Sequence, residues 1–203
     1  MPSLLGSPNS PVAIGDKVTI TNYHGFCKGL LKKYGYLISD FLKKDVNLFH
    51  AIGDPDAERQ RLLKAVLSTT DIQALKEMDM SIKEARTPSS EVIQAYNQIV
   101  IRKLLPYGYI THNAVILFVL DILTRFPEVK KFYQSYYPLI VVDEFQDTNC
   151  IAWELLKSII SDQTQLLFLG DPLQRIYGFI GALPNIMSTV MDEYQMTKIS
   201  LSK

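Results

Sequence analysis

The chain has 203 residues, of which 47% are hydrophobic and 21% are charged. This composition is typical of a globular protein, and the length suits one domain of moderate size or one domain with a smaller one inserted. Lysine plus arginine and aspartate plus glutamate each number 21, so the formal net charge is zero. The overall charge therefore excludes a general attraction to nucleic acid or to an anionic membrane, and any contact with DNA must come from local groups.

The cysteines and the distribution of apolar residues indicate the cellular compartment of the protein. Cys27 and Cys150 have no metal-type spacing, which favours a reduced intracellular compartment. Residues 1–16 contain three prolines and no long apolar run, unlike a secretory signal. The most apolar stretch, residues 114–123, is about half as long as a bilayer span requires. The sequence therefore predicts a cytoplasmic protein with no membrane partner.

The first part of the chain is predicted to be mainly helical. A short alternating, β-branched segment predicts a strand over residues 17–21, and the next apolar pattern predicts a helix over residues 25–34 that ends near Gly35. Residues 36–110 have mostly helical patterns, and we expect them to form a small all-α insertion. The helices predicted within and after this insertion cover residues 56–68, 70–80, 89–105, 111–126 (with Thr111 as N-cap) and 127–136.

The pattern then changes to strand, helix, strand. Two continuous apolar runs, residues 138–142 and 165–169, flank a helix-length segment, residues 150–160. Fully apolar strands joined by a helix indicate a parallel sheet that is covered on both faces. Ligands of such sheets bind at the carboxyl ends of the strands, where Asp143 and Asp171 fall. We expect these two aspartates to end neighbouring strands.

The segment LIVVDEFQDTN, residues 139–149, carries the strongest chemical signal. An Asp and then a Glu at the tip of an apolar strand can present one carboxylate to Mg²⁺ and another to an attacking water. For Asp143 and Glu144 alone, a solvated acidic loop is the better interpretation. However, Gln146 and Asp147 follow in the same segment, and a second motif has its Gly170 23 residues after Asp147. The combination favours a nucleotide site.

The second motif, LFLGDPLQRIYGFIGA, covers residues 167–182. Gly170 allows a tight exit from the strand, and the Gln174 amide can contact a phosphate oxygen and a water together. Tyr177 and Phe179 offer two rings that can stack on unpaired bases. Core packing is the alternative for these rings, and it would be preferred if they were considered alone.

Together the two segments resemble motifs II and III of the UvrD/Rep family of superfamily-1 DNA helicases. Motif II there reads D-E-x-Q-D, which residues 143–147 match. Motif III reads G-D-x-x-Q-x-I-Y-x-[FW]-R-G-A, and the matching positions here are Gly170, Asp171, Gln174, Ile176, Tyr177, Phe179, Gly181 and Ala182. Residues 20–34 are similar to motif Ib, T-F-H-[SG]-F followed by a basic helix, with Asn22 in place of the usual Thr. In the family, that segment lies along single-stranded DNA.

The resemblance implies a partial RecA-like, three-layer parallel sheet of the P-loop NTPase type, with an inserted all-α subdomain. The implied division is residues 1–35 and 111–203 for RecA-like domain 1A and residues 36–110 for subdomain 1B. The complete enzyme of this family uses ATP and Mg²⁺, and we expect this chain alone to bind neither of them tightly. The complete enzyme acts on single-stranded DNA or its junction with duplex and needs its remaining helicase domains. The implied roles are metal binding for Asp143, catalysis for Glu144 and Gln174, ATP-site support for Gln146, Asp147, Gly170 and Asp171, and DNA binding for Asn22, Tyr23, His24, Tyr177 and Phe179.

Three features depart from the family pattern. No G-x-x-x-x-G-K-[ST] loop and no motif IV arginine are found in the 203 residues, and Ile180 replaces the usual arginine of motif III. We therefore expect part of an ATP-dependent 3′→5′ helicase that is inactive as a motor alone. Two alternatives are a naturally shorter, non-hydrolysing module that binds DNA or protein, and a metal-dependent phosphohydrolase that uses Asp143, Glu144 and Asp171. The last ranks lowest because three carboxylates provide no cradle for phosphate.

Overall fold

The structure is a computed structural model that describes residues 18–51, 65–171, 173 and 181–200. Most of the helix predicted over residues 56–68 lies outside the described residues, as do Gln174, Tyr177 and Phe179. The α-helices are α1 (Tyr23–Tyr34), α2 (Thr69–Lys83), α3 (Ser90–Ile99), α4 (His112–Arg125), α5 (Pro127–Tyr136), α6 (Cys150–Ile159) and α7 (Ile186–Glu193). The strands are β1 (His50–Ala51), β2 (Tyr109–Ile110), β3 (Leu139–Val142) and β4 (Gln165–Phe168).

Most helices begin where a short polar side chain caps the free backbone N–H groups of the first turn. Thr111 is the N-cap of α4, as predicted, and its hydroxyl accepts a hydrogen bond from the N–H of Ala114. Ser68 and Asp71 form a reciprocal capping box at the start of α2. The helix predicted over residues 89–105 is less regular than expected, because the α-helix ends at Ile99 and continues as a π-helix over Val100–Leu104.

The predicted parallel strand pair is confirmed. β3 and β4 are hydrogen-bonded in parallel, with Leu139 opposite Gln165 and Val142 opposite Phe168. The carboxyl ends of both strands therefore meet at one edge of the sheet, and both Asp143 and Asp171 follow that edge.

Two predictions about strands were wrong. Residues 18–22 have no regular structure, because the described residues contain no neighbouring strand with which this β-branched segment could pair. Conversely, the region expected to be all-α contains β1, which pairs in parallel with β2 over two residues. This short pair brings His50 beside Tyr109, and both strands lie within the predicted insertion.

The β3–β4 sheet is not covered on both faces by the described residues. Ile140, Val142 and Phe168 pack against the buried clusters of the chain. The alternate side chains face solvent instead, and Leu139 and Val141 are each 51% exposed. A second helical layer is needed to cover that face, and the described part of the chain supplies none. The described sheet therefore has a helical layer on one face, and the expected third layer is not seen.

Buried side chains form one large cluster and one smaller cluster. The large cluster joins α1, α4 and α6 to buried residues of the 36–110 region, such as Met78, Tyr96 and Leu104. The smaller cluster surrounds Phe145 and Trp153, close to the end of β3. Within the described residues, no helix is both long and apolar enough to cross a membrane.

Candidate functional site

The chain turns sharply where β3 ends. Asp143 follows the strand, Glu144 adopts a left-handed backbone conformation with φ of 51°, and Phe145–Asp147 form one 3₁₀ turn. The N–H of Glu144 donates to Oδ1 of Asp143 over 3.0 Å. A positive φ is uncommon for a residue other than glycine. Here the turn leaves both carboxylates exposed while the next side chain, Phe145, is fully buried.

Gln146 links the ends of the two strands. It is only 2% exposed, and both ends of its amide are hydrogen-bonded. Its Nε2 donates to Oε2 of Glu144 over 2.5 Å, and its Oε1 accepts the backbone N–H of Asp171 over 3.2 Å. A Cβ at Gly170 would collide with this same Oε1 atom, so Gly170 leaves the room that the bridge requires.

The two other predicted ATP-site residues lie in the same region. Asp147 closes the 3₁₀ turn, where its N–H donates to the carbonyl of Glu144 over 2.9 Å. Asp171 follows β4, and its Oδ1 accepts the N–H of Leu173 over 2.9 Å. The structure thus brings together Asp143, Glu144, Gln146, Asp147, Gly170 and Asp171 at one edge of the sheet, whereas Gln174 lies outside the described residues.

The start of α1 holds the three predicted DNA-binding residues that the structure describes. Asn22 caps the helix, because its Oδ1 accepts the N–H of Gly25 over 2.8 Å. The hydroxyl of Tyr23 lies 3.2 Å from the hydroxyl of Thr148, directly after the carboxylate turn. Burial raises the pKa of Tyr23, an effect that the hydrogen bond to Thr148 opposes. Asn22 and Tyr23 therefore both have structural roles, as a helix cap and as a hydrogen-bond partner of Thr148.

His24 contacts the start of α4. Its Nε2 donates to the backbone carbonyl of His112 over 3.2 Å, and the two imidazole rings meet edge to face with centroids 5.6 Å apart. Burial lowers the pKa of His24, and the nearby charges of His112 and Lys28 lower it further, against the raising effect of the hydrogen bond. Sequence reasoning missed both Thr148 and His112, since neither pairing follows from a local pattern.

The carboxylate edge fits Mg²⁺ only in one way. The described residues contain no group of three His, Cys, Asp or Glu side chains arranged to hold a metal. Mg²⁺ commonly takes one or two carboxylates and completes its shell with waters and substrate phosphates. The exposed Asp143 beside Glu144 suits that arrangement, in which the substrate brings part of the coordination.

Comparison with known proteins shows which family this chain resembles over most of its length. The model of the UvrD/REP helicase N-terminal domain matches residues 4–195. The ATP-dependent DNA helicase PcrA of Staphylococcus aureus (strain Mu50) is 27% identical, over 94% of this chain and 28% of the relative. PcrA of Bacillus subtilis is 28% identical, over 87% of this chain and 26% of the relative, and a probable DNA helicase II homolog of Mycoplasma genitalium is 25% identical, over 92% and 29%.

The chain thus spans under a third of the length of these curated relatives. The family model covers nearly the whole sequence, and its match includes both segments that carry the carboxylates and the start of α1. The chain therefore belongs to the UvrD/REP helicase family, whose N-terminal domain model it matches.

Proposed function

We propose that this chain is part of an ATP-dependent 3′→5′ DNA helicase and supplies one wall of its nucleotide site together with contacts to single-stranded DNA. Its relatives in Staphylococcus aureus and Bacillus subtilis are named ATP-dependent DNA helicases. The observation that carries the proposal is the Gln146 bridge, which holds Glu144 and the backbone of Asp171 together where two parallel strands end. Ligands of parallel sheets bind at such an edge.

In this proposal the two exposed carboxylates have different tasks. Asp143 would hold Mg²⁺, which supplies positive charge against the phosphates of ATP when it is bound. Glu144 would accept a proton from the attacking water, and the hydrogen bond from Gln146 fixes one oxygen of its carboxylate. Asp147, Gly170 and Asp171 shape the same edge, and Gln174 would contact phosphate and water from the neighbouring loop.

The DNA would lie along the start of α1, at Asn22, Tyr23 and His24. Tyr177 and Phe179, predicted from the sequence, would offer stacking platforms to unpaired bases at about 1–3 kcal/mol per base. The hydrogen bond between Tyr23 and Thr148 supports this proposal, because it ties the start of α1 to the carboxylate turn. We also propose that residues 36–110 correspond to subdomain 1B and that residues 1–35 and 111–203 form part of domain 1A.

ATP turnover would require a larger assembly that includes the remaining helicase domains. The sequence contains no Gly-Lys-Ser or Gly-Lys-Thr loop for the β- and γ-phosphates. We therefore expect the isolated chain to release no phosphate from ATP, with or without a single-stranded oligonucleotide. Hydrolysis by the pure chain that is lost in Glu144→Gln but kept in Glu128→Gln would instead support the phosphohydrolase alternative. Glu128 is a suitable control because it is an exposed glutamate on α5.

The metal-binding role can be tested without turnover. Mn²⁺ can replace Mg²⁺, and as a paramagnetic ion it broadens the NMR signals of nearby nuclei. We expect Mn²⁺ with ATP to broaden the backbone signals of residues 143–147 and 170–171, and Asp143→Asn to abolish this effect. Asp162→Asn is the matched control, because Asp162 is exposed and precedes β4 at the opposite end of the strand. Broadening that is centred elsewhere, or that survives Asp143→Asn, would overturn the assignment.

A further inference from the structure

A cavity of about 220 Å³ lies between two helices of the 36–110 region and the start of α4. One water takes about 30 Å³ in the liquid, so the cavity has room for a small ligand of several heavy atoms. None of the described residues that line it is among those proposed to contact ATP or DNA. The walls come from α2, α3 and the first turn of α4, and the lining residues are Leu75, Asp79, Tyr96, Thr111, His112 and Asn113.

The carboxylate of Asp79 is fixed in position, but its charge is not paired. Its Oδ1 accepts a hydrogen bond from Nδ2 of Asn113 over 2.7 Å. Lys76 and Lys83 stand three and four positions away on α2, at spacings that allow ion pairs along a helix. Nevertheless, no cation of the described residues lies within ion-pair distance of Asp79, and none of these residues donates to Oδ2. Asp79 therefore gives the cavity a negative charge and one oxygen that a ligand can reach.

Two hydroxyl groups line another part of the cavity. Tyr96 is only 1% exposed, and its hydroxyl lies 2.5 Å from the hydroxyl of Thr111. Burial raises the pKa of Tyr96, the hydrogen bond to Thr111 opposes this effect, and the negative charge of Asp79 raises the pKa further. The charge of Asp79 thus acts on the wall formed by Tyr96. Hydroxyl oxygens can accept hydrogen bonds as well as donate them.

We infer that this cavity binds a small primary alkylammonium ion, with the ammonium group at Asp79 and the alkyl chain against Leu75. An ammonium group has three N–H donors and no acceptor. The cavity offers it Oδ2 of Asp79, the amide oxygen of Asn113 and the hydroxyl pair. Leu75 is half-buried and supplies an apolar wall for methylene groups. The inference goes beyond the proposed helicase function and does not rest on it.

Other classes of ligand fit these groups less well. An anion would be repelled by Asp79. A guanidinium group pairs best with both oxygens of a carboxylate, but Oδ1 of Asp79 already accepts from Asn113. A metal ion would need more ligands, and the described residues contain no group of three His, Cys, Asp or Glu side chains that could hold one. Since Asp79 is exposed, its charge alone would contribute little, so the N–H donors and the buried alkyl chain must supply much of the affinity.

A series of ligands tests the cavity in the wild-type chain. In an NMR titration, n-butylammonium should shift the amide signals of the lining residues with a dissociation constant in the millimolar range, and its methylene protons should show NOEs to the methyl groups of Leu75. Ethylammonium, which has two fewer methylene groups to bury, should bind about tenfold more weakly. Equal affinities of the two ions, or no saturable shift at the lining residues, would overturn the inference.

Two further ligands separate charge from hydrogen bonding. Butyltrimethylammonium keeps the charge and the chain but has no N–H donor, so it should bind at least tenfold more weakly than n-butylammonium. Neutral 1-butanol should cause no saturable shift. Binding of butyltrimethylammonium as tight as that of n-butylammonium would contradict recognition through the three N–H donors.

Substitution of Asp79 provides the matching test on the protein. Asp79→Asn keeps an oxygen that can accept from Asn113 but removes the charge, and it should weaken n-butylammonium binding at least tenfold with little change in melting temperature. Glu77→Gln is the matched control, because Glu77 is an exposed acidic residue of the same helix, and it should bind like the wild type. An equal loss in both variants would indicate a general charge effect and overturn the assignment to Asp79. The ligand series still decides the inference if Asp79→Asn folds poorly, since it uses only the wild type.

Discussion

The hydroxyl of Tyr23 lies 3.2 Å from the hydroxyl of Thr148, although the two residues are 125 positions apart in the sequence. Tyr23 begins α1 and packs against both buried clusters. Thr148 is 2% exposed and follows the carboxylate turn directly, and its carbonyl accepts the N–H of Leu183 over 2.9 Å. One hydrogen bond therefore connects the segment proposed to contact DNA with the segment proposed to contact ATP.

Removal of this bond should produce a measurable coupling between the two residues. Tyr23→Phe and Thr148→Val should each lower the free energy of unfolding by about 0.5–1.5 kcal/mol, because each leaves a poorly solvated hydroxyl without its partner. The double variant should lose less than the sum, by about 0.5 kcal/mol or more. Urea unfolding of the four proteins measures this, with Tyr107→Phe as the control because Tyr107 is exposed. Additive losses would show that the hydroxyls do not interact.

A second coupling is expected between Gly170 and Gln146. In the wild type, Gly170→Ala places a methyl group against Oε1 of Gln146, whose buried amide is held by Glu144 and Asp171. We expect a loss of about 1–3 kcal/mol in unfolding free energy, which is usual for overpacking. In a Gln146→Ala background the obstructing atom is absent, so the same substitution should cost less than 1 kcal/mol. An equal cost of Gly170→Ala in both backgrounds, measured by urea unfolding, would mean that the collision is relieved elsewhere.

The sequence predicted best where a local rule determines the structure. Thr111 was identified as an N-cap because a short hydroxyl side chain precedes an apolar helix, and β3 and β4 were identified because continuous apolar runs favour parallel pairing. Since parallel strands end at the same edge, the same reasoning places Asp143 and Asp171 at one edge of the sheet.

The features that were missed depend on long-range contacts. The strand expected at residues 17–21 has suitable β-branched residues, but strand formation needs a partner, and none of the described residues provides one. The apolar residues of β3 and β4 suggest burial on both faces, yet Leu139 and Val141 are exposed. A sequence shows which side chains can be buried, but it does not show whether another layer covers them. The partners of Tyr23 and His24 are 125 and 88 positions away, beyond any local pattern.

Acid should weaken the fold partly through Asp71. Hydrogen bonds from Lys103 and Ser68 lower the pKa of Asp71 from 3.8 to about 2, against a smaller opposing effect of burial. A carboxyl group with a lowered pKa in the folded state stabilises the protein above the pKa of the unfolded chain, and that stabilisation disappears as pH falls through the folded pKa. The advantage of the wild type over Asp71→Asn should therefore be full at pH 5 and shrink between about pH 4 and pH 2.

Urea unfolding of both proteins across this pH range measures the effect of Asp71. The control is Asp162→Asn at an exposed turn, which should differ little from the wild type throughout. A difference between the wild type and Asp71→Asn that stays constant from pH 5 to pH 2 would show that the Lys103 and Ser68 contacts do not stabilise the charged form of Asp71.

Two glycines with a left-handed backbone offer a matched comparison of strain and close packing. Gly181 has φ of 86° and Gly108 has φ of 78°, so alanine is unfavourable at both, by about 1–2 kcal/mol. They differ in surroundings, because a Cβ at Gly108 meets nothing within 4 Å, whereas a Cβ at Gly181 would collide with the backbone carbonyl of Ile82, near the end of α2. A backbone atom in a helix cannot move aside as the end of a flexible side chain can. Gly181→Ala should therefore cost about 1–3 kcal/mol more than Gly108→Ala.

The difference also has a structural consequence that can be measured. Gly181 precedes Ala182, which bridges to Asn149, and Leu183, which donates to Thr148, so displacement at Gly181 should disturb the segment behind the carboxylate turn. Hydrogen exchange should become faster for the amides of Ala152 and Leu183 in Gly181→Ala, but not in Gly108→Ala. The two variants should be compared at equal free energy of unfolding, which a low concentration of urea can set. Equal costs and equal exchange in the two variants would mean that α2 and residue 181 do not pack as closely as the structure indicates.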